Sequence, residues 1–374
     1  MAGIYLHIPF CKQACHYCDF HFSTSIGTKS ALVNALVKEI GLQKAYLDGE
    51  IVETIYFGGG TPSMLDISEL ALVLNSLYCH FNVAQNAEIT LEANPDDINI
   101  EKLLLLKSLN INRLSIGIQT FDANFLKWMN RAHNAQQAIE ALHSCFDAGF
   151  ANISIDLMYG LPAENHSILE NDLDTILKYK IPHISAYNLT IEPQTAFGKL
   201  QKNGKLAEAS NEFAAVQMQM LIDRLVANDF IHYETSNFAK EGHFSKHNTA
   251  YWLDKKYVGI GPSAHSYNRT SRQFNVSNNG KYIQAIEQNK IPFEIEILTE
   301  KDKANEFIMT GLRTSWGLDL EKIDQLHSLK KEKFELGIAK YIELELAITD
   351  GNYLKLTSKG KFYADKVASE LFFD

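Results

Sequence analysis

Three cysteines near the start of the chain are the residues whose spacing points most directly to chemistry. Cys11, Cys15 and Cys18 form a C-x3-C-x2-C pattern. Three thiolates on one short loop can ligate three irons of a cubane [4Fe-4S] cluster and leave the fourth iron without a protein ligand. An open iron can bind and reduce a small chelating molecule. The spacing therefore predicts an iron–sulfur site with one exchangeable position.

The same residues also allow two other sites. His7, His16 and His21 flank the cysteines, and zinc takes mixed cysteine and histidine ligands. A disulfide with one spare thiol is the other alternative. The total of five cysteines is odd and no signal peptide precedes the cluster, so a reducing cytoplasm is expected rather than a secreted disulfide scaffold.

Length and charge limit the class of protein. With 374 residues the chain is expected to form one large domain and a smaller one. The net charge of −10 argues against binding to nucleic acid or to an anionic membrane surface. No apolar run approaches the roughly 18–20 residues that span a bilayer. We expect a soluble, cytoplasmic protein with no nucleic-acid partner.

Six short β-rich runs alternate with longer amphipathic stretches up to about residue 190. This alternation predicts parallel strands joined by crossover helices. No Gly-x-Gly-x-x-Gly turn is present, so a barrel or partial barrel is favoured over a dinucleotide-binding fold. The predicted strands are residues 3–8, 52–57, 88–93, 113–118, 152–157 and 183–189.

Polar and glycine residues fall where these predicted strands end. In parallel barrels the carboxyl ends of the strands carry the chemistry. Their coincidence there predicts a single site. In strand order they are the cysteine motif, Gly58-Gly-Gly-Thr-Pro62, Glu92 with Asn94, Gln119, Asp156, and Asn188 with Thr190.

The pattern changes after residue 191. A long helix is predicted near 207–228, and a stretch rich in glycine, asparagine, serine and aromatic residues follows. The end of the chain reads as helices plus a hairpin with its turn at Asp350-Gly351, which is typical of a winged-helix-like module. The predicted division is a barrel domain over 1–235, a connecting segment over 236–295 and a C-terminal α-rich domain over 296–374.

The run Tyr5-Leu-His-Ile-Pro-Phe-Cys11, together with the cysteine motif, resembles the radical S-adenosylmethionine (radical SAM) superfamily. Within it, the chain is similar over nearly its whole length to the family of oxygen-independent coproporphyrinogen III oxidase and the HemW-type haem chaperones. The resemblance implies an α/β fold with a partial (β/α)6 TIM-like barrel. It also implies a [4Fe-4S] cluster on Cys11, Cys15 and Cys18.

The resemblance also implies a binding site for SAM. In the family the tyrosine lies near the cluster, and the glycine segment pairs with the amino end of the methionine moiety. A carboxylate suits that amino group and the ribose hydroxyls, and an arginine suits the methionine carboxylate. A phosphate loop is disfavoured because no Lys-Ser/Thr follows the glycines. The implied SAM-binding residues are Tyr5, Gly59, Gly60, Thr61, Glu92, Gln119, Arg131 and Asp156.

Two departures separate the chain from the oxidase branch of the family. The oxidases carry a further cysteine two residues after the third cluster cysteine, where this chain has Phe20. They also have an N-terminal extension that reaches the substrate, whereas four residues precede Tyr5 in this sequence. The segment His247-Asn-Thr-Ala-Tyr-Trp252 matches the H-N-x-x-Y-W motif of the haem-chaperone branch. Imidazole can ligate haem iron and aromatic rings can pack on the macrocycle, so His247, Tyr251 and Trp252 are the implied haem-binding residues. The alternative is a cap at the barrel mouth that shapes a substrate pocket.

The resulting hypothesis is a haem chaperone that binds a [4Fe-4S] cluster, SAM and haem and delivers haem to acceptor haemoproteins, with respiratory proteins as candidates. Coproporphyrinogen oxidase activity is not expected, and SAM cleavage is expected to be weak or absent. The resemblance also allows a homodimer and a transient contact with a membrane protein. One alternative is an oxygen-independent coproporphyrinogen III oxidase, which decarboxylates propionates through a 5′-deoxyadenosyl radical. A zinc-stabilised interaction module ranks below both.

Overall fold

A single twelve-stranded sheet organises most of the chain in the computed structural model, which describes residues 2–326 and 331–373. Its strand order is β12-β11-β10-β9-β1-β2-β3-β4-β5-β6-β8-β7. The strands are β1 (Ala2–Ile8), β2 (Val52–Gly59), β3 (Val83–Ala93), β4 (Arg113–Gln119), β5 (Ile153–Tyr159), β6 (His183–Asn188), β7 (Ile231–Glu234), β8 (Asn237–Ala239), β9 (Lys256–Ile260), β10 (His265–Tyr267), β11 (Ser271–Asn275) and β12 (Phe293–Ile297).

The six predicted strands are confirmed as β1–β6, which pair in sequence order and in parallel. Since the two ends of the sheet, β12 and β7, do not pair with each other, the barrel is partial, as expected. The helices that accompany the sheet are α1 (Lys29–Leu42), α2 (Ile67–His80), α3 (Ile100–Ser108), α4 (Ala123–Trp128), α5 (Ala135–Asp147), α6 (Ser167–Ile176), α7 (Ala196–Lys202), α8 (Asn211–Val226), α9 (Lys246–Trp252) and α10 (Asn279–Glu287).

The two faces of β1 show how the barrel separates its core from its site. Ile4, Leu6 and Ile8 are fully buried in the main apolar core. Because successive side chains of a strand point to opposite faces, Tyr5 and His7 project to the other side. That inner face carries polar and aromatic groups, so the alternation in β1 supplies both the packing and the first residues of the site.

The segment over 236–295 contributes more to the sheet than a connection would. Its β8 pairs antiparallel with β6, and its β9 pairs parallel with β1. The following strands β10, β11 and β12 extend that edge in antiparallel pairs. Their runs are short and interrupted by turn residues, which is why the sequence pattern did not reveal them. The motif helix α9 lies in the same segment, where the Glu88 carboxylate accepts hydrogen bonds from the backbone N–H groups of Lys246 and His247 (2.9 and 3.2 Å).

The C-terminal part forms a separate apolar core, as expected from the sequence. A small sheet of order β13-β15-β14 contains the predicted hairpin, with Gly351 at its turn in the left-handed region (φ +57°). No helix in residues 2–326 or 331–373 has the length and apolar character needed to cross a membrane. The elements are α11 (Glu300–Leu312), β13 (Leu318–Asp319), α12 (Leu320–Asp324), α13 (Glu332–Glu343), β14 (Ala347–Asp350), β15 (Tyr353–Leu356), α14 (Ser358–Lys361) and α15 (Ala364–Glu370).

Candidate functional site

The predicted cluster ligands lie on one loop after β1, which we call the cysteine loop (residues 9–23). Its ends are joined because the N–H of Ser23 donates to the carbonyl of Pro9 (2.8 Å). Cys11, Cys15 and Cys18 are half-buried free thiols, so none of them is paired in a disulfide. The spare-thiol alternative therefore finds no support in the structure.

Two cysteine sulfurs accept hydrogen bonds from residues that lie elsewhere in the barrel. The Thr61 hydroxyl donates to Sγ of Cys11 (3.5 Å), and the Arg131 guanidinium donates to Sγ of Cys15 (3.3 Å). Burial raises the pKa of Cys11 despite the Thr61 hydrogen bond, and burial raises the pKa of Cys18 to about 12. Because the thiolate is the form that ligates iron, binding of a cluster here would release protons from these thiols. The placement of three free thiols on one loop, with hydrogen-bond donors beside two of the sulfurs, fits a cluster.

The zinc alternative requires a tighter cluster than this loop provides. With Zn–S bonds of about 2.3 Å, tetrahedral thiolates lie about 3.8 Å apart. Among residues 2–326 and 331–373, no group of three or more His, Cys, Asp or Glu side chains converges on a single ion. The flanking histidines also have other partners: His7 Nε2 donates to the carbonyl of His21 (2.9 Å), and His16 Nδ1 donates to that of Trp128 (2.9 Å). His21 Nε2 donates to Oδ1 of Asn279 (2.8 Å).

The glycine run at the end of β2, which we call the glycine loop (residues 58–61), is packed directly on the cysteine loop. The N–H of Gly60 donates to the carbonyl of Ile8 (2.9 Å), and the N–H of Thr61 donates to that of Phe10 (2.7 Å). A Cβ added at Gly60 would lie 2.7 Å from that Phe10 oxygen. Gly59 has φ +105°, a left-handed conformation that side chains rarely adopt. The glycines therefore fix the distance between the first two strand-end loops.

Buried charges occupy the inner face of the barrel. Burial, reinforced by the charge of Asp156, raises the pKa of Glu92 to about 7. Burial likewise raises the pKa of Asp156 to about 6. The buried guanidinium of Arg113 opposes both shifts, and the Tyr56 hydroxyl donates to Glu92 (2.8 Å). Two carboxyls with raised pKa values would gain from a further cation, and SAM carries both a sulfonium and an ammonium group. The residues present therefore fit SAM.

The predicted SAM residues Arg131 and Gln119 approach the same inner face. The Arg131 guanidinium donates to Asn94 Oδ1 and to the carbonyl of Gly117 (2.7 Å each). Its buried Nε has no hydrogen-bond partner among the described residues, which leaves one donor for an incoming acceptor such as a carboxylate. Gln119 has φ +70°, and strained non-glycine residues of this kind cluster at ligand sites. The structure thus places Arg131 against the cysteine loop and Gln119 beside Arg131 at the end of β4, and their contact with SAM stays a prediction.

The motif histidine His247 is buried inside the barrel, with 2% of its surface exposed. Its Nδ1 is hydrogen-bonded to the Thr54 hydroxyl (2.8 Å) and its Nε2 to the Tyr251 hydroxyl (2.8 Å). Its ring stacks on Tyr56 (5.0 Å between centroids), and burial together with the charge of Arg113 lowers its pKa to about 3. A haem iron could reach this imidazole only by displacing one of the two hydrogen bonds, so its role as an axial ligand stays a prediction.

The other two motif aromatics line a cavity of about 1100 Å³ that lies beside the cysteine loop. Ligand pockets usually fall between about 300 and 1,000 Å³, so this space can accept a large organic molecule. Its walls come from β1, the cysteine loop, the end of α9, the region from β9 to β11, and α11 and α12. The lining includes Phe20, Tyr251, Trp252, His265, Lys303 and Lys322, but not His247. Sequence reasoning did not assign the last three of these lining residues, His265, Lys303 and Lys322, to a site.

The fold and the thiolate loop define a radical SAM protein, and comparison with known families agrees. Residues 5–176 match the Radical SAM superfamily, and residues 298–363 match the HemN C-terminal domain. The heme chaperone HemW of Lactococcus lactis is 33% identical over 99% of this chain and 97% of its own length. That of Bacillus subtilis is 32% identical over 98% of each chain. The chain belongs to the HemW haem chaperone family.

A solved structure shows the same fold in the oxidase branch. Coproporphyrinogen III oxidase (HemN) from Escherichia coli, described as a radical SAM enzyme, superposes with a TM-score of 0.86 at 22% identity. The match covers 99% of this chain and 90% of the oxidase. At this identity the likeness concerns the fold alone, so the activity has to be argued from the residues of this chain.

Proposed function

We propose that the protein is a haem chaperone that binds a [4Fe-4S] cluster through Cys11, Cys15 and Cys18, binds SAM at the open iron and carries haem to acceptor haemoproteins. The observation that carries the proposal is the cavity beside the cysteine loop. The relatives that share about a third of the sequence over their whole length are named for haem, which supports the same ligand.

The chemistry of the cavity suits a porphyrin with acidic side chains. Haem is a flat apolar macrocycle with two carboxylates, so its site needs aromatic surface and cations. Phe20 is 68% exposed, an unusual position for a phenylalanine, and lines the cavity together with Trp252. Lys303 and Lys322 line the same space. This combination supports haem over a small polar substrate.

The residues of the barrel would hold the cofactors rather than the haem. Glu92 and Asp156 would pair with the positive groups of SAM, while Arg131 would bind its carboxylate. When both are bound, the cluster would supply one electron for reduction of the sulfonium of SAM. Phe20 occupies the position where the oxidase branch has a cysteine, which supports a chaperone without coproporphyrinogen oxidase activity.

The proposed partners are acceptor haemoproteins in the cytoplasm, and respiratory haemoproteins are among them. An acceptor in the membrane would be reached by transient contact. A homodimer belongs to the same proposal. Nucleic acid is not a proposed partner, because the chain carries a net charge of −10.

The experiment is a haem titration of the anaerobically reconstituted protein, followed by transfer to an apo-haemoprotein and by an assay for coproporphyrinogen III decarboxylation with SAM and a reductant. We expect stoichiometric haem binding, transfer of haem and no decarboxylation. Phe20→Ser should weaken haem binding, whereas Ile26→Ser, which changes another exposed apolar residue outside the cavity lining, should not. Repeated turnover of coproporphyrinogen III without haem binding would instead identify an oxidase.

A further inference from the structure

Three histidines line the cavity, and they differ in whether their ring nitrogens are free. His7 is hydrogen-bonded at both nitrogens, with Nε2 donating to the carbonyl of His21 (2.9 Å) and Nδ1 accepting from the Tyr5 hydroxyl (3.3 Å). His21 donates from Nε2 to Asn279 (2.8 Å). His265 is exposed, and neither of its ring nitrogens is hydrogen-bonded within the described part of the chain. It is therefore the cavity histidine with both nitrogens available to a metal.

The ring of His265 is held by packing rather than by hydrogen bonds. It meets Phe274 edge-on, with 4.7 Å between ring centroids. Partial burial of the ring, followed by the nearby charge of Arg272, lowers the pKa of His265 and so favours its neutral form. Neutral imidazole is the form that ligates iron. The side chain is thus oriented by an aromatic neighbour while its ligating atoms stay free.

The cavity tyrosines Tyr251 and Tyr267 are poorer candidates than His265 as iron ligands. The hydroxyl of Tyr251 is hydrogen-bonded to His247 (2.8 Å), and that of Tyr267 donates to Asp254 (2.5 Å). Burial raises the pKa of both phenols, and a phenol must lose its proton to ligate iron. These hydroxyls are therefore committed to the protein.

The cations of the cavity also divide into bound and free groups. Arg272 donates to Glu306 (2.7 Å), and Arg269 pairs with Asp254 (3.6 Å). Lys322 lies with its ammonium 4.9 Å from the centre of the Phe307 ring and forms no salt bridge among the described residues. Lys303 also lines the cavity, and its ammonium forms no side-chain hydrogen bond or salt bridge within residues 2–326 and 331–373. Two lysines are therefore available to pair with carboxylates of a ligand.

We propose that the cavity binds haem with His265 as an axial ligand of the iron and with Lys303 and Lys322 paired to the propionates. His247 is then a positioning residue, which fixes the Tyr251 hydroxyl without touching the iron. This inference rests on the proposed haem-carrying function and assigns the site within it. The haem would lie beside the cysteine loop, with Phe20 against the macrocycle.

The first test measures axial ligation. Ferric haem is titrated into cluster-loaded wild type, His265→Ala, His247→Ala and His143→Ala, the last being an exposed histidine outside the cavity lining. We expect His265→Ala to lose at least about tenfold in affinity, to change the electron paramagnetic resonance spectrum of the haem, and to regain the wild-type spectrum with added imidazole. His247→Ala and His143→Ala should keep the wild-type spectrum. An unchanged spectrum and affinity for His265→Ala would overturn the assignment, as would loss of the ligand signal in His247→Ala.

The second test addresses the propionates. The double variant Lys303→Gln, Lys322→Gln should bind haem more weakly than wild type does. Its affinity for haem dimethyl ester, which has no free carboxylates, should equal that of wild type. The control Lys290→Gln, at an exposed position, should change neither affinity. Equal haem affinity in the double variant would overturn the pairing. Failure of the proposed function is distinguishable, because wild-type protein would then bind no haem at all. Haem binding that is insensitive to His265→Ala would instead reject only the assigned ligand.

Discussion

Replacing Gly60 by alanine tests how closely the glycine loop and the cysteine loop must approach. The added Cβ would lie 2.7 Å from the carbonyl oxygen of Phe10 and 2.9 Å from the Ile8 oxygen and the Phe10 nitrogen. All three atoms belong to the backbone, so no rotation of a side chain can relieve the contact. The loops must separate, which stretches the hydrogen bonds from Gly60 to Ile8 (2.9 Å) and from Thr61 to Phe10 (2.7 Å).

The magnitude follows from these two effects. Overpacking costs about 1–3 kcal/mol, and each weakened hydrogen bond costs about 0.5–1.5 kcal/mol. We therefore expect the free energy of unfolding of the cluster-free Gly60→Ala protein to fall by about 2–6 kcal/mol. Cluster content should fall as well, because the Thr61 hydroxyl that donates to Cys11 moves with the loop.

Urea unfolding under reducing conditions gives the stability, and iron and sulfide analysis after reconstitution gives the cluster content. The matched control is Gly280→Ala in the first turn of α10, where the nearest atom to a new Cβ is 3.5 Å away. That variant should be as stable as wild type or gain up to about 1 kcal/mol. A free energy of unfolding for Gly60→Ala within about 0.5 kcal/mol of wild type, together with a full cluster, would show that neither stability nor cluster binding depends on the close packing of the two loops.

Three further outcomes are expected. Reconstituted wild type and Cys79→Ala should contain about four irons and four sulfides per chain, while Cys15→Ala should contain neither; zinc without sulfide in wild type would contradict this. The pKa of Glu92 is raised from 4.5 to about 7 by burial, so the native state retains a proton that the unfolded chain has lost. The free energy of unfolding of SAM-free protein should therefore fall as pH rises through this interval, more steeply in wild type than in Glu92→Gln when followed by urea titration. Finally, chromatography should detect no decarboxylated product from coproporphyrinogen III. Steady turnover would contradict the inference that a chain with Phe20 in place of the oxidases' cysteine lacks this activity.

The barrel was predictable because its signals are local. Each of β1–β6 is a short apolar run followed by a helical pattern. The cysteine motif follows the first strand, the glycine run ends the second, and Glu92 and Asp156 lie near the predicted ends of the third and fifth. The strands β9–β12 were not predictable in the same way, because they are short and pair across the chain. The pairing of β9 with β1, for instance, joins Lys256 to Ala2.

The His247–Trp252 motif shows what a sequence match leaves undetermined. A six-residue match identifies His247 but not whether its nitrogens are free, and the partner at Nδ1, Thr54, lies 193 residues away. The partner at Nε2 was within reach of sequence reasoning, since Tyr251 follows four residues later on the same helix face. The cavity could not be foreseen, because its walls combine the cysteine loop, the β9–β11 region and α11.

The most direct measurement is iron-edge anomalous diffraction from crystals of the cluster-loaded protein with haem. We expect an iron cluster on the cysteine loop and a separate single iron in the adjacent cavity, next to His265 and with Phe20 and Trp252 around the macrocycle. An iron bonded to His247 inside the barrel, or a haem bound outside this cavity, would contradict it.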